Sequence, residues 1–178
     1  VRSVRAFSDT PIGIQLAHAG RKGSRAAFSE ETLAPEAGGW QPVAPSAIAY
    51  GPGYPAPAAL DPQGIEGIVT RFADAAVRAD RAGFDVAEVH AAHGYLVHEF
   101  LSPLSNRRTD KYGGSLENRM RFALAVFDAV RKVFPPSKPV GVRISGSDWV
   151  EGGWSVEDSV VLSTELEKRG CAYIHVSG

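Results

Sequence analysis

The segment Asp85-Val-Ala-Glu-Val-His90, which continues as Ala-Ala-His-Gly-Tyr95, decides the fold class of this chain. Its first six residues form a short run with valines, which is typical of a β-strand. Glu88 and His90 fall on one side of that strand, and the apolar residues that alternate with them fall on the other. We therefore predict a strand whose one side packs against other elements and whose other side presents polar groups.

Three further segments repeat this alternation, with predicted strands over residues 12–17, 140–144 and 172–176. Helices are predicted between the strands, and their first turns follow the capping residues Asp61, Ser115 and Ser155. Gly83 and Gly170 are placed to end two of these helices. The order β-α-β-α-β-α-β is typical of a parallel sheet whose strands are connected by helices.

The apolar side of the four strands carries Ile12, Ile14, Leu16, Ala87, Val89, Val140, Val142, Ile144, Ala172, Ile174 and Val176. The other side carries small or polar residues. A doubly wound sheet has helices on both sides and would be apolar on both. A (β/α) barrel has helices only outside, and it places polar groups at the carboxyl ends of its strands. The sequence therefore predicts an α/β fold, a partial TIM (β/α)8 barrel with half of the eight strands and two unpaired edges.

We expect residues 1–178 to form a single partial barrel domain that is truncated at both ends. Residues 18–60 are rich in Gly and Pro and weakly periodic, so they are predicted to be a long connection without regular structure. Connections of that length are usually functional. A second connection, residues 91–114, is predicted to contain a short helix near Tyr95–Leu101.

Composition excludes several classes of protein. Lys and Arg number 19 against 20 Asp and Glu, so the net charge of -1 gives no electrostatic reason to bind nucleic acid or an anionic membrane. No run approaches the roughly 18 apolar residues of a membrane span. The single cysteine, Cys171, allows no internal disulfide. A reducing compartment, and hence a cytoplasmic location, is expected.

Polar side chains lie at or just after the ends of all four predicted strands. They are Gln15 with His18, His90 with His93 and the nearby Tyr95, Arg143, and His175 with Ser177. Because the carboxyl ends of barrel strands converge on one mouth, we expect these groups to meet there. The paired histidines are the strongest of these signals, because both imidazoles sit at one junction between a strand and a loop.

A metal-dependent barrel hydrolase is an alternative interpretation of the same residues. His90, His93 and Glu88 offer three ligands of types that zinc accepts. Arg143 at the same mouth would repel a cation and favours an anion or an electron-rich ring instead, so we predict no metal site. The sequence has no glycine-rich phosphate loop and no nucleophile elbow, and Cys171 is predicted to face away from the mouth and to be inert.

Four stretches of the sequence resemble the Old Yellow Enzyme family of FMN-dependent ene-reductases, and most closely its bacterial thermophilic-type branch. They are Gly13-Ile-Gln-Leu-Ala-His-Ala-Gly-Arg-Lys22, Gln41-Pro-Val-Ala-Pro-Ser-Ala-Ile48, Val89-His-Ala-Ala-His-Gly-Tyr-Leu-Val-His-Glu-Phe-Leu-Ser-Pro103 and Asn106-Arg-Arg-Thr-Asp-Lys-Tyr-Gly-Gly-Ser-Leu-Glu-Asn-Arg119. The resemblance covers essentially the whole chain. It implies barrel strands of about 3 to 6, with residues 110–119 forming a structural turn and helix start.

The resemblance also implies roles for the predicted site residues. Gln15 would hydrogen-bond the pyrimidine edge of the flavin, and Arg143 would stabilise negative charge on the reduced ring. His90 and His93 would both donate to the carbonyl oxygen of a bound enone. Tyr95 would donate a proton to the α-carbon.

For the full-length parent, the resemblance implies FMN as cofactor, NAD(P)H as reductant and an activated alkene such as an enone as substrate. It also implies a homo-oligomer. The family binds the phosphate of FMN through its late strands and shapes the flavin site through an N-terminal strand, and this sequence matches neither segment. An inactive half-barrel fragment that binds FMN weakly or not at all is therefore a second interpretation.

Overall fold

The computed structural model describes residues 1–27 and 31–178. Its strands are β1 (Gly13–Leu16), β2 (Val43–Ala44), β3 (Ala58–Ala59), β4 (Val86–Ala91), β5 (Val140–Ser145) and β6 (Ile174–Ser177). Its helices are α1 (Arg2–Arg5), α2 (Pro62–Arg81), α3 (Leu96–Leu101), α4 (Leu116–Val133) and α5 (Val156–Lys168). Strands β1, β4, β5 and β6 form one parallel sheet in that order.

The ends of the long helices follow the predicted capping residues. Asp61, Ser115 and Ser155 each accept a hydrogen bond from the backbone N–H three residues further on. Gly83 and Gly170 follow the ends of α2 and α5, with φ values of +87° and +81° that favour glycine. These predictions of where the helices begin and end are confirmed.

One side of the sheet is buried under α2, α4 and α5. The predicted apolar residues of the two central strands, Ala87, Val89, Val140, Val142 and Ile144, are all buried there. On β6, however, Val176 of the same side is 62% exposed, because no described helix covers it. The alternation of apolar and polar residues therefore identifies correctly which side of the sheet the helices cover. The helices bury this side completely only at the two central strands, β4 and β5.

The last strand begins at Ile174, not at Ala172 as expected. Gly170 and Cys171 donate their backbone N–H groups to Glu167 and Leu166, which closes the carboxyl end of α5. Cys171 is thus used in ending the helix and does not open the strand.

The connection over residues 18–60 carries more regular structure than expected. It contains the short parallel pair β2 and β3 and two turns of 3-10 helix, at Gly20–Lys22 and Pro35–Ala37. Residues 28–30 of this connection lie outside the described residues. The Arg108 guanidinium holds the carboxyl ends of both strands of this pair by donating to the backbone oxygens of Pro45 and Leu60.

The predicted structural role of residues 110–119 is consistent with their contacts. Asp110 accepts hydrogen bonds from Arg108, and the Arg119 guanidinium donates to the backbone oxygen of Leu101. These bonds anchor the start of α4 to the end of α3. Among the described residues, no helix has the length and apolar character that crossing a membrane requires.

Candidate active site

The predicted site residues on the strands share the side of the sheet that the helices leave free. His90 is paired in register with Arg143, and Arg143 with His175. Gln15 is paired with Glu88, two residues before His90 on β4. Because side chains alternate along a strand, all five lie on one side of the sheet.

Three aromatic side chains meet at the end of β4. The ring centroid of His90 lies 5.1 Å from that of His93 and 5.1 Å from that of Tyr95, and both pairs are edge to face. Tyr95 occupies the position just before α3. The structure thus brings together the imidazole pair and the phenol, as the sequence predicts.

His90 is a neutral imidazole whose free N–H is on Nε2. Its side chain is buried, and its Nδ1 accepts the backbone N–H of Ala92 at 3.3 Å. Burial, together with the nearby His93 and Arg143, lowers the pKa of His90 to about 4. We therefore assign the ring proton to Nε2, so that His90 presents one hydrogen-bond donor at neutral pH.

His93 presents its proton from the other ring nitrogen. Its Nε2 lies 2.8 Å from the Ser177 hydroxyl, and that hydroxyl accepts from the Arg143 guanidinium at 3.1 Å. With the hydroxyl hydrogen directed at His93 Nε2, we assign the ring proton to Nδ1. Burial and the charge of Arg143 lower the pKa of His93, which favours the neutral ring.

The backbone of His93 is held in an unusual conformation. Its φ is +59°, in the left-handed region that costs a non-glycine residue about 1–2 kcal/mol. Its N–H donates to the Ser145 hydroxyl at 2.9 Å, and its carbonyl oxygen accepts from Lys22 Nζ at 2.7 Å. The Lys22 ammonium also lies 5.2 Å from the centroid of the Tyr95 ring. The two hydrogen bonds offset the strain and hold the backbone of His93 in place.

Glu88 organises the other end of the site. Its carboxylate accepts the side-chain amide of Gln15 at 2.6 Å and lies 3.4 Å from His175 Nδ1. Burial and the neighbouring Glu88 raise the pKa of Tyr173 to about 12, so the phenol on the same side stays protonated. Within residues 1–27 and 31–178, no three His, Cys, Asp or Glu side chains are grouped as a metal site. The structure thus gives the zinc interpretation of Glu88, His90 and His93 no support.

His18 does not join this cluster. Its Nδ1 accepts the backbone N–H of Gly20 at 3.0 Å, and its carbonyl oxygen accepts from the backbone of Leu96. Burial, with Arg71 of α2 nearby, lowers the pKa of His18. The expectation that His18 faces the mouth is wrong, because the chain turns toward the helix layer directly after β1.

The sequence model of the NADH:flavin oxidoreductase / NADH oxidase family matches residues 5–177. The chain belongs to this family. It is 47% identical over 182 residues to the NADH:flavin oxidoreductase of Gibberella zeae, an alignment that covers 93% of this chain and 44% of that protein. It is 45% identical over 166 residues to the NADPH dehydrogenase of Bacillus subtilis, with 93% and 45% covered. The chain thus spans about half the length of the curated relatives it matches.

Solved structures of family members agree with the fold. Morphinone reductase in complex with tetrahydroNAD superposes with a TM-score of 0.81 at 41% identity, covering 99% of this chain and 51% of that chain. The old yellow enzyme homologue of Zymomonas mobilis superposes with a TM-score of 0.76 at 29% identity, covering 93% and 47%. The fold is therefore the predicted α/β partial barrel.

The residues present fit a flavin, the cofactor in the family's name. The Nε atom of Arg143 is buried and has no hydrogen-bond partner within residues 1–27 and 31–178. One Gln15 amide N–H is bound to Glu88, which leaves the amide oxygen and the second N–H for another partner. A planar ring whose edges carry both donors and acceptors would satisfy these groups.

Sequence reasoning missed several residues that shape the site. Glu99 is completely buried in α3, its Oε1 accepts the Arg21 backbone N–H at 2.9 Å, and burial raises its pKa to about 8. A Cβ on Gly20 would lie 2.2 Å from the Glu99 carboxylate, so the turn that carries Lys22 depends on glycine there. Glu99 and Lys22 stand inside the stretches that resemble the family, but a pattern does not show which side chains touch.

Proposed function

We propose that the protein containing this chain is an FMN-dependent oxidoreductase that reduces activated C=C bonds of α,β-unsaturated carbonyls with NAD(P)H. The observation that carries this proposal is the pair of imidazoles, His90 and His93, whose ring centroids lie 5.1 Å apart beside Tyr95 and to which we assign the donors Nε2–H and Nδ1–H. Membership of the family supports the nature of the cofactor and the reductant.

When bound, FMN supplies the hydride that the β-carbon of the alkene receives, after NAD(P)H has reduced the ring. Gln15 would bind the pyrimidine edge of the ring, with its amide oriented by Glu88. Arg143 would place its positive charge where negative charge grows on the reduced ring, and its Nε, which bonds none of the described residues, would supply a further donor.

His90 and His93 would bind the carbonyl oxygen of the substrate. Hydride addition to the β-carbon moves negative charge onto that oxygen, and hydrogen-bond donors already aimed at it lower the barrier. Neutral imidazoles suit this task, because they donate without needing to change protonation state. Burial and the positive charge of Arg143, which lower both pKa values, keep them neutral.

Tyr95 would deliver the proton that completes the reaction. Its ring lies edge to face with His90, on the side of the cluster where α3 begins. The phenol O–H would donate to the α-carbon as the enolate collapses, and solvent would restore the proton. Lys22, close to the same ring, stabilises any negative charge that develops on the phenol oxygen.

The remaining expectations stay predictions. They are a homo-oligomeric assembly of the full-length parent, a cytoplasmic location, and a small-molecule substrate without nucleic acid or membrane as partner.

The proposal is tested by purifying the full-length protein and measuring its absorbance spectrum, its metal content and its NAD(P)H oxidation under anaerobic conditions. We expect bound flavin, and oxidation that is accelerated by 2-cyclohexen-1-one with cyclohexanone as product. A flavin-free protein, or one that consumes NAD(P)H without reducing the alkene, would contradict the proposal. Stoichiometric zinc without flavin would favour the metal-dependent hydrolase instead.

A further inference from the structure

Two consecutive residues in the turn after β4 have left-handed backbones, namely His93 with φ of +59° and Gly94 with φ of +67°. The backbone N–H of His93 donates to the Ser145 hydroxyl at 2.9 Å. The backbone N–H of Gly94 donates to Nδ1 of His98 at 2.9 Å. Both N–H groups of the strained turn are thus held by side chains that the proposed reaction does not use.

His98 connects these two anchors. It lies in α3 with 4% of its surface exposed, and its Nδ1 also lies 3.3 Å from the Ser145 hydroxyl. Since the Ser145 oxygen already accepts from His93, its hydrogen is free to point toward His98 Nδ1. The single lone pair of His98 Nδ1 therefore accepts the Gly94 N–H directly and shares a longer, weaker contact with the hydroxyl that holds His93.

Asp148 fixes the tautomer that this arrangement requires. An imidazole that accepts at Nδ1 carries its proton on Nε2, and His98 Nε2 lies 3.1 Å from Asp148 Oδ1. The contact lacks good hydrogen-bond alignment, so it is chiefly electrostatic. The other carboxylate oxygen accepts from the Ser102 hydroxyl at 2.6 Å and the Trp154 backbone at 2.7 Å.

The side chain of Asp148 is ionised at neutral pH. Burial alone would raise its pKa, but the contacts with His98, Ser102 and the Trp154 backbone outweigh it and lower the pKa to about 2. A permanent carboxylate beside Nε2 keeps the ring proton there and leaves Nδ1 free to accept.

We propose that His98, oriented by Asp148 and linked to the turn by Ser145, is a positioning residue that aims the imidazole of His93 at the substrate oxygen. This inference rests on the proposed function. His98 itself touches neither substrate nor flavin in this account. Its effect arises because an error of about 1 Å in the place of a donor can reduce a rate by about 10²-fold.

The test is a double-mutant cycle on kcat/KM for enone reduction by the flavin-loaded full-length protein. His98→Leu removes the acceptor, and His98→Asn places an amide oxygen near the position of Nδ1. We expect a loss of about 10- to 100-fold for His98→Leu and recovery of most of it by His98→Asn. In a His93→Ala background, His98→Leu should cost less than about threefold, since the side chain that it aims is gone.

A buried serine in the same region provides the matched control. Ser105 is buried, and its hydroxyl donates to the backbone oxygen of Glu99 at 2.8 Å, with the Ser102 oxygen further off at 3.4 Å; within the described residues it makes no hydrogen bond to His93, Gly94, His98 or Ser145. Ser145→Ala should show the same coupling to His93→Ala as His98→Leu does. If His98→Leu does not fold, Ser145→Ala takes its place in the cycle. Ser105→Ala should have the same effect in both backgrounds. Equal losses for His98→Leu and Ser145→Ala in the two backgrounds would overturn the proposal.

Hydrogen exchange gives a readout that is independent of catalysis. Loss of the acceptors should speed exchange of the His93 and Gly94 amides by about 10-fold or more, whereas Ser105→Ala should leave them protected. Unchanged protection in Ser145→Ala and His98→Leu would also overturn the proposal. If the wild-type protein fails to reduce enones but these amides respond as expected, the proposed function falls while the anchoring of the turn stands.

Discussion

Replacing His90 with leucine removes the donor that the proposed mechanism places most firmly. The Nδ1 atom of His90 is occupied by the Ala92 backbone, so Nε2–H is its single available donor. The loss of one such donor costs about 10²–10³ in rate, which corresponds to about 2.7–4 kcal/mol of transition-state stabilisation. His90→Gln keeps an N–H near the position of Nε2, so we expect it to lose no more than about tenfold.

The assay is anaerobic stopped-flow mixing of the reduced full-length protein with 2-cyclohexen-1-one, following reoxidation of the flavin. His18→Leu is the matched control, because this half-buried histidine lies outside the cluster, and we expect a change of less than about threefold. Because the pKa of His90 is lowered to about 4, its protonation should not change the rate between about pH 5 and pH 8. A His90→Leu variant within threefold of wild type, or a pH dependence near 6.5 that this variant abolishes, would refute the reasoning.

Three further predictions concern the surroundings of the cluster. Burial raises the pKa of Glu99 to about 8, so the native protein holds this side chain as a neutral acid. The free energy of unfolding should therefore fall as pH rises from about 4.5 to 8. The expected fall is on the order of 1–4 kcal/mol, measured by urea unfolding at several pH values. Glu99→Gln should remove this fall, and an equal fall in both proteins would contradict the prediction. Gly141→Ala would place a Cβ 2.2 Å from the Tyr173 ring. It should lower the melting temperature, through about 1–3 kcal/mol of overpacking, and Tyr173→Ala should partly rescue it; no rescue would show that the ring is not the obstacle. Arg143→Leu should weaken FMN binding by at least about tenfold in a fluorescence titration, since a charged donor is lost, and unchanged affinity would remove Arg143 from the flavin site.

Much of the fold follows from local chemistry. Asp61, Ser115 and Ser155 cap helices where the sequence predicts, because a side-chain acceptor before an apolar helical repeat acts over only three residues. The alternation along β4 and β5 likewise identifies the helix-covered side. The sequence predicts that β6 begins at Ala172, whereas the strand begins at Ile174. The backbone N–H of Cys171 bonds back to α5, but an apolar residue at that position suits a strand equally well, so the pattern does not reveal this bond.

The sequence selects candidate members of the site, whose roles stay predictions, but it does not show the contacts between them. Gln15, His90, His93, Tyr95 and Arg143 could be selected because strand ends of a barrel converge. Their tautomers and supports depend on contacts between residues that are far apart in the chain. Ser177 reaches His93 across 84 residues. No periodicity in the sequence encodes which ring nitrogen such a contact occupies.

The positions of the ring protons on His90 and His93 can be assigned from the structure but not from the sequence. The sequence requires only that both imidazoles donate. Backbone geometry assigns Nε2–H to His90, and the Ser177 bridge assigns Nδ1–H to His93. In this assignment the two histidines present different ring nitrogens.

The most direct test is a crystal structure of the flavin-loaded full-length protein with an unreactive carbonyl ligand bound. We predict that the ligand oxygen lies about 2.6–3.2 Å from both His90 Nε2 and His93 Nδ1, on the face of the flavin and within reach of Tyr95. A ligand oxygen bound by neither imidazole, or a flavin seated away from Gln15 and Arg143, would contradict the account.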